Sequence, residues 1–171
     1  MSALRFVLGL TCAVVLHAAG LAIDPRFATL VDPFLVVVVI QALRHPPIGS
    51  AFAGSAVGLT QDALSGGLFG LHGFAATAVA WLATITRQRF VIQQPAQVGM
   101  LCLVAAAFQQ IVLAVLRFAL VPGSEPPDVL EGVTKMATSA VLGALFVAAT
   151  DRGSAWLGHR REARSRRLRL D

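Results

Sequence analysis

Apolar residues gather into six runs along the chain, at positions 6–23, 28–43, 48–64, 68–85, 98–121 and 129–149, separated by charged or Pro-rich breaks. A helix needs about 20 apolar residues to cross a bilayer, so the pattern predicts an all-α integral membrane protein of six short transmembrane helices. The second run is the weakest because Asp32-Pro33 interrupts it. Asp as N-cap and Pro at the first helical position predict that a regular helix starts only there, so that the run either crosses incompletely or begins as irregular backbone shielded by neighbouring helices. The first run imitates a secretory signal, with Arg5 ahead of it and Ala18, Ala19 and Ala22 near its end. The five apolar runs that follow argue against that reading.

Composition strengthens the membrane assignment. Of the 171 residues 56% are hydrophobic and 13% charged, too few polar side chains to cover a water-soluble fold. The expected organisation is a six-helix transmembrane domain over 1–157 and a basic tail over 158–171, with no sizeable aqueous domain. Cys12 and Cys102 both lie in apolar runs, without metal-ligand spacing or an extracellular loop to pair in, and read as small buried hydrophobes.

Charge sets the expected orientation. With the N-terminus inside, Arg5, Arg44, Arg87, Arg89 and every basic residue from Arg152 onward face the cytoplasm, eleven of the fourteen Lys and Arg. The outer side then receives Asp24, Glu125, Asp128 and Glu131, with Arg26, Arg117 and Lys135 as its basic residues. The last helix has a start signal, since Pro126-Pro127 precede Asp128 as N-cap and Glu131 completes a capping box. In the tail, Arg160, Arg161, Arg164, Arg166, Arg167 and Arg169 form a cluster suited to anionic lipid headgroups at about 1 kcal/mol each. No aromatic or groove-reading pattern accompanies it, which argues against nucleic-acid binding.

Between positions 54 and 73 the chain changes character. Gly54, Gly58 and Asp62 recur every four residues, followed by Ser65, Gly66, Gly67, Gly70 and Gly73. Four-residue spacing puts Gly54 and Gly58 on one helix side, where a neighbouring helix can approach closely, with Asp62 one turn further along. A carboxylate in lipid is costly, so Asp62 calls for a partner or a polar cavity. Arg117, at matching depth near the outer end of the fifth run, is the expected partner. The glycines after Asp62 predict a tight, left-handed reversal into the fourth helix. Gln109 and Gln110 are the other polar residues inside a span, expected to bond across to a neighbouring helix.

The string Asp32-Pro33-Phe34, Leu43-Arg44-His45-Pro46-Pro47, then Gly54, Gly58-Leu59, Asp62, Ser65-Gly66 and Gly70 resembles the MreD family, small membrane subunits of the bacterial rod-shape system. The resemblance is sharpest from Asp32 to Leu82. One departure is Trp81-Leu82, where such proteins often carry Tyr-Leu, in a chain without Tyr. What the resemblance implies is a non-enzymatic subunit of the inner membrane with no cofactor. Its partners would be MreC, a single-span periplasmic scaffold, and through it the synthase and transpeptidase of cell-wall elongation. It also implies a fold similar to the six-helix substrate-binding subunits of energy-coupling-factor transporters.

Two other function classes compete. A substrate-capture subunit of a vitamin or metal transporter would need convergent polar or aromatic side chains at the outer face. The chain offers His17, Asp32, Asp62, His72 and Arg117 there, a thin set. An intramembrane hydrolase would need Asp32 to meet Asp62, or Ser65 to meet His72, and no spacing supplies either histidine with an orienting carboxylate.

Overall fold

The computed structural model describes residues 2–66, 68–90, 94–120, 130, 132–146 and 148–149. Its helices are α1 (Ser2–Ile23), α2 (Phe27–Leu30), α3 (Pro33–Ala42), α4 (Pro47–Ser65), α5 (Leu71–Arg89), α6 (Pro95–Leu120) and α7 (Gly132–Phe146), and no strand occurs among the described residues. Each of the six apolar runs of the sequence contains a helix. Among the described residues, α1 and α6 are long and apolar enough to cross a membrane.

The break in the second run falls at Asp32. Val31 is extended, and Asp32 Oδ1 accepts the Leu35 N–H at 3.1 Å as the N-cap of α3, with Pro33 opening the helix. The following Leu35-Val36-Val37-Val38-Val39-Ile40 favours strand by propensity, yet it is helical. An apolar environment rewards the helix because it satisfies its own backbone polar groups. Nine of the ten α3 residues are buried. The least regular run of the sequence is therefore the centre of the bundle, enclosed by α1, α4, α5 and α6.

Two basic residues, Arg87 and Arg89, end α5, and Arg87 Nη1 donates to the Leu43 carbonyl, satisfying a free acceptor at the C-terminus of α3. Thr84 Oγ1, buried, faces the same end and donates to Ala80 O at 2.8 Å and Ala42 O at 3.4 Å. The start of α6 carries its own cap: Pro95 is its first residue and the Gln97 side chain accepts the Gln94 N–H at 3.0 Å.

The outside of the bundle is apolar. Leu8, Phe52, Phe74, Trp81, Met100, Ile111 and Phe118 are all exposed, an arrangement suited to lipid.

Candidate functional site

The closest helix contact is α4 against α5, and glycine makes it possible. A Cβ at Gly54 would stand 2.6 Å from the Ala76 carbonyl oxygen, and one at Gly58 would overlap the His72 carbonyl and approach Gly73 Cα to 2.7 Å. Both are obstructed by backbone, which cannot rotate away as a side chain can. On the same side, one turn beyond Gly58, lies Asp62.

The hairpin after Asp62 reverses through two glycines in left-handed conformation, Gly66 at φ 64° and Gly70 at φ 102°. This turn brings the N-terminus of α5 onto the Asp62 carboxylate. Gly70 N–H donates to Oδ2 at 2.8 Å, Gly73 N–H to Oδ2 at 3.0 Å and His72 N–H to Oδ1 at 3.0 Å. His72 Nδ1 lies 2.8 Å from Oδ1. With amide donors on both oxygens, the carboxylate is an acceptor throughout, so the Nδ1–H of His72 donates to it. The N-cap position of α5 is Gly70, which has no side chain to cap with. Asp62 does that from the preceding helix, and its charge meets the positive end of the α5 dipole.

This corrects two expectations. The Asp62–Arg117 ion pair is replaced by Asp62–His72, because the reversal carries the α5 N-terminus over the carboxylate and Arg117 is exposed in the last turn of α6. His72 does have an orienting carboxylate, ten residues earlier and brought to it by the turn. Ser65 is not its neighbour in chemistry: its Oγ donates to the Gln61 carbonyl at 2.8 Å, one turn back in its own helix.

The residue before Asp62 belongs to a second constellation. Gln61 Nε2 donates to Asp32 at 3.4 Å, and Gln109 Nε2 donates to Asp32 Oδ2 at 3.0 Å. Asp32, Gln61 and Gln109 are all buried. Two carboxamides and the α3 amide thus hold this carboxylate, and they tie α3, α4 and α6 together. Beside it is a cavity of about 10 Å³ lined by Asp32, Gln109, Gln110, Lys135 and Ser139, close to the volume one water requires. Ser139 Oγ is buried there without a hydrogen-bond partner among the described residues, as is His17 Nδ1, whose ring packs edge-on against Phe34 at 5.3 Å. Asp32 and Asp62 do not share a site. Consecutive residues of α4 serve them in different directions, Gln61 toward the Asp32 cap of α3, Asp62 toward α5.

The family model described as rod shape-determining protein MreD matches residues 1–125 of the chain. The chain belongs to the MreD family. The match takes in both carboxylate constellations as far as Gln109, the α4–α5 glycine contact and Arg117, and ends before α7. No curated protein and no solved structure matches the chain. The MreD assignment rests on 125 residues, well over half the chain, and makes this a membrane protein of rod-shape determination.

Within this MreD-family chain, sequence reasoning singled out Asp62 but missed the Asp32 centre as a site. The available signal was the pairing of a carboxylate inside an apolar run with carboxamides inside two others: Gln side chains are uncharged donors that compensate a buried acid. Gly67, Arg160, Arg161, Arg164, Arg166, Arg167 and Arg169 lie outside the described residues, as do Glu125, Asp128 and Glu131. Among the described residues no group of three His, Cys, Asp or Glu comes together as a metal site.

Proposed function

We propose that this chain is a non-enzymatic membrane subunit of the bacterial cell-elongation machinery, binding a single-span periplasmic scaffold of the MreC kind and helping to organise peptidoglycan synthesis. The observation that carries the reading is the MreD family match over residues 1–125. The geometry is compatible with it. Both buried carboxylates are engaged in capping and joining helices, Asp62 at α5 and Asp32 among α3, α4 and α6, which is the work of a rigid scaffold rather than of an open reaction centre. A hydrolytic reading of Asp62–His72 needs a nucleophile on the free side of the imidazole, and Ser65 is turned to its own helix.

In this reading the chain crosses the inner membrane six times with both termini in the cytoplasm, and its fold is akin to the substrate-binding subunits of energy-coupling-factor transporters. The basic tail, including Arg160 to Arg169, adheres to anionic lipid. The decisive experiment is purification of the native complex in mild detergent, followed by mass spectrometry of bound proteins and small molecules. Recovery of a single-span periplasmic protein with wall synthases is expected. Recovery of an ATPase pair with a vitamin would replace the proposal with a transporter subunit.

A further inference from the structure

A groove of about 350 Å³ runs between α1 and α3, closed on one side by Leu142 and Phe146 of α7. From α1 it is lined by Arg5, Gly9, Cys12 and Leu16, which share one helix face by their spacing of four, three and four residues. From α3 and the turn after it come Val36, Val37, Ile40 and Arg44. The two helices run antiparallel, with Gly9 set against Val37. Arg5 precedes Gly9 and Arg44 follows Val37, so both guanidinium groups belong to the same end of the groove. The rest of the lining is almost wholly apolar.

We propose that this groove binds an anionic phospholipid of the surrounding bilayer, with one acyl chain along α1 and α3 and the phosphate between Arg5 and Arg44. Length selects this occupant. From Arg5 to Leu16 the α1 face is about 16 Å long at 1.5 Å per residue. That is about half of the roughly 30 Å hydrocarbon core, the depth of one leaflet, and too short to seat a partner's transmembrane helix over its full span. Charge selects the headgroup. Among the described residues neither Arg5 nor Arg44 is paired with a carboxylate, and both are exposed. Arginine matches a phosphate with two parallel N–H donors. A second cleft of about 190 Å³, lined by Phe6, Gln41, His45 and Gly49, adjoins the same end and shares Gln41 with the groove, which provides polar surroundings for the headgroup. None of the described residues that line the groove belongs to the basic tail over 158–171.

Two features make it testable. Gly9 lines the groove and a Cβ there would meet only Val37 Cγ1, at an ordinary 3.9 Å, so the backbone at this position accepts a side chain and Gly9→Leu adds its bulk at the groove. Cys12, expected from its apolar run to be buried, is exposed in the groove, whereas Cys102 is fully buried, so alkylation by N-ethylmaleimide reports on Cys12. The full chain, purified in detergent, is titrated with phosphatidylglycerol or phosphatidylcholine and followed by native mass spectrometry. Preferential retention of phosphatidylglycerol is expected. Arg5→Gln with Arg44→Gln should weaken it about thirty-fold, the effect of two basic residues at an anionic surface. Gly9→Leu should abolish it, and in the unaltered chain phosphatidylglycerol should slow Cys12 alkylation several-fold. Equal retention of the two lipids would mean that the arginines merely reach toward headgroups and would overturn the site. So would phosphatidylglycerol binding indifferent to Gly9→Leu, Cys12 alkylation indifferent to phosphatidylglycerol, or a co-purifying peptide protecting Cys12 in place of lipid.

Discussion

Replacing Asp62 is the most direct test of how the α4–α5 hairpin is held. In the native structure its two oxygens accept three backbone N–H bonds and one from the His72 ring, with the Asp62 side chain 1% exposed. Asp62→Asn keeps the shape but turns one acceptor oxygen into a donor. The NH₂ then faces either the Gly70 and Gly73 amides, or the His72 amide together with an imidazole that can change tautomer and accept; at least one buried amide is left unsatisfied, at about 1–3 kcal/mol, and the remaining bonds lose a charged acceptor, giving a loss of about 2–5 kcal/mol. His72→Phe removes only the ring bond and leaves the helix cap intact, so a loss toward the lower end of the roughly 1.5–3 kcal/mol of a single bond to a charged acceptor is expected, the ring being partly exposed. Arg117→Gln, at an exposed position, should stay within about 0.5 kcal/mol. Reversible denaturation in detergent measures all three, and hydrogen exchange supplies a local readout: Asp62→Asn should speed exchange at the Gly70, His72 and Gly73 amides, and Arg117→Gln should not. The reasoning fails if Asp62→Asn costs no more than His72→Phe, or if Arg117→Gln matches it.

Other consequences follow from the packing. Gly58→Ala should already cost about 1–3 kcal/mol because its Cβ meets the α5 backbone, whereas Gly132→Ala, with nothing within 4 Å, should be neutral; equal melting temperatures for the two would refute the close contact. Gln109→Leu deprives the buried Asp32 of its shortest side-chain donor and should lower stability by about 1–3 kcal/mol, with Asp32→Asn partly relieving the loss in a double-mutant cycle; additive losses would separate the two residues. For topology, cysteines introduced near Arg44 and Arg89 in a chain lacking Cys12 and Cys102 should resist an impermeant thiol reagent in intact cells, and one near Glu125 should react; labelling near Arg89 from outside would overturn the proposed orientation.

Much of the architecture is written in local sequence, because local chemistry determines it. The six apolar runs become helices wherever the surroundings lack water, since a chain in lipid has few other ways to satisfy its backbone. Asp32-Pro33 starts α3 because an N-cap acceptor and a residue without an N–H suit the first turn of any helix. The four-residue spacing of Gly54, Gly58 and Asp62 places them on one side by helical geometry alone. The direction of each partner was not local. Asp62 and Arg117 looked matched in depth, but depth along two helices says nothing of how the helices are turned. The left-handed glycines at 66 and 70 rotate the start of α5 onto the carboxylate before any distant arginine can reach it. Asp32, Gln61 and Gln109 are separated by 29 and 48 positions in the chain and meet only because α3 is packed at the centre, a burial its short, interrupted run does not announce. The groove beside Arg5 and Arg44 likewise exists only between packed helices, since neither α1 nor α3 contains a cavity of its own.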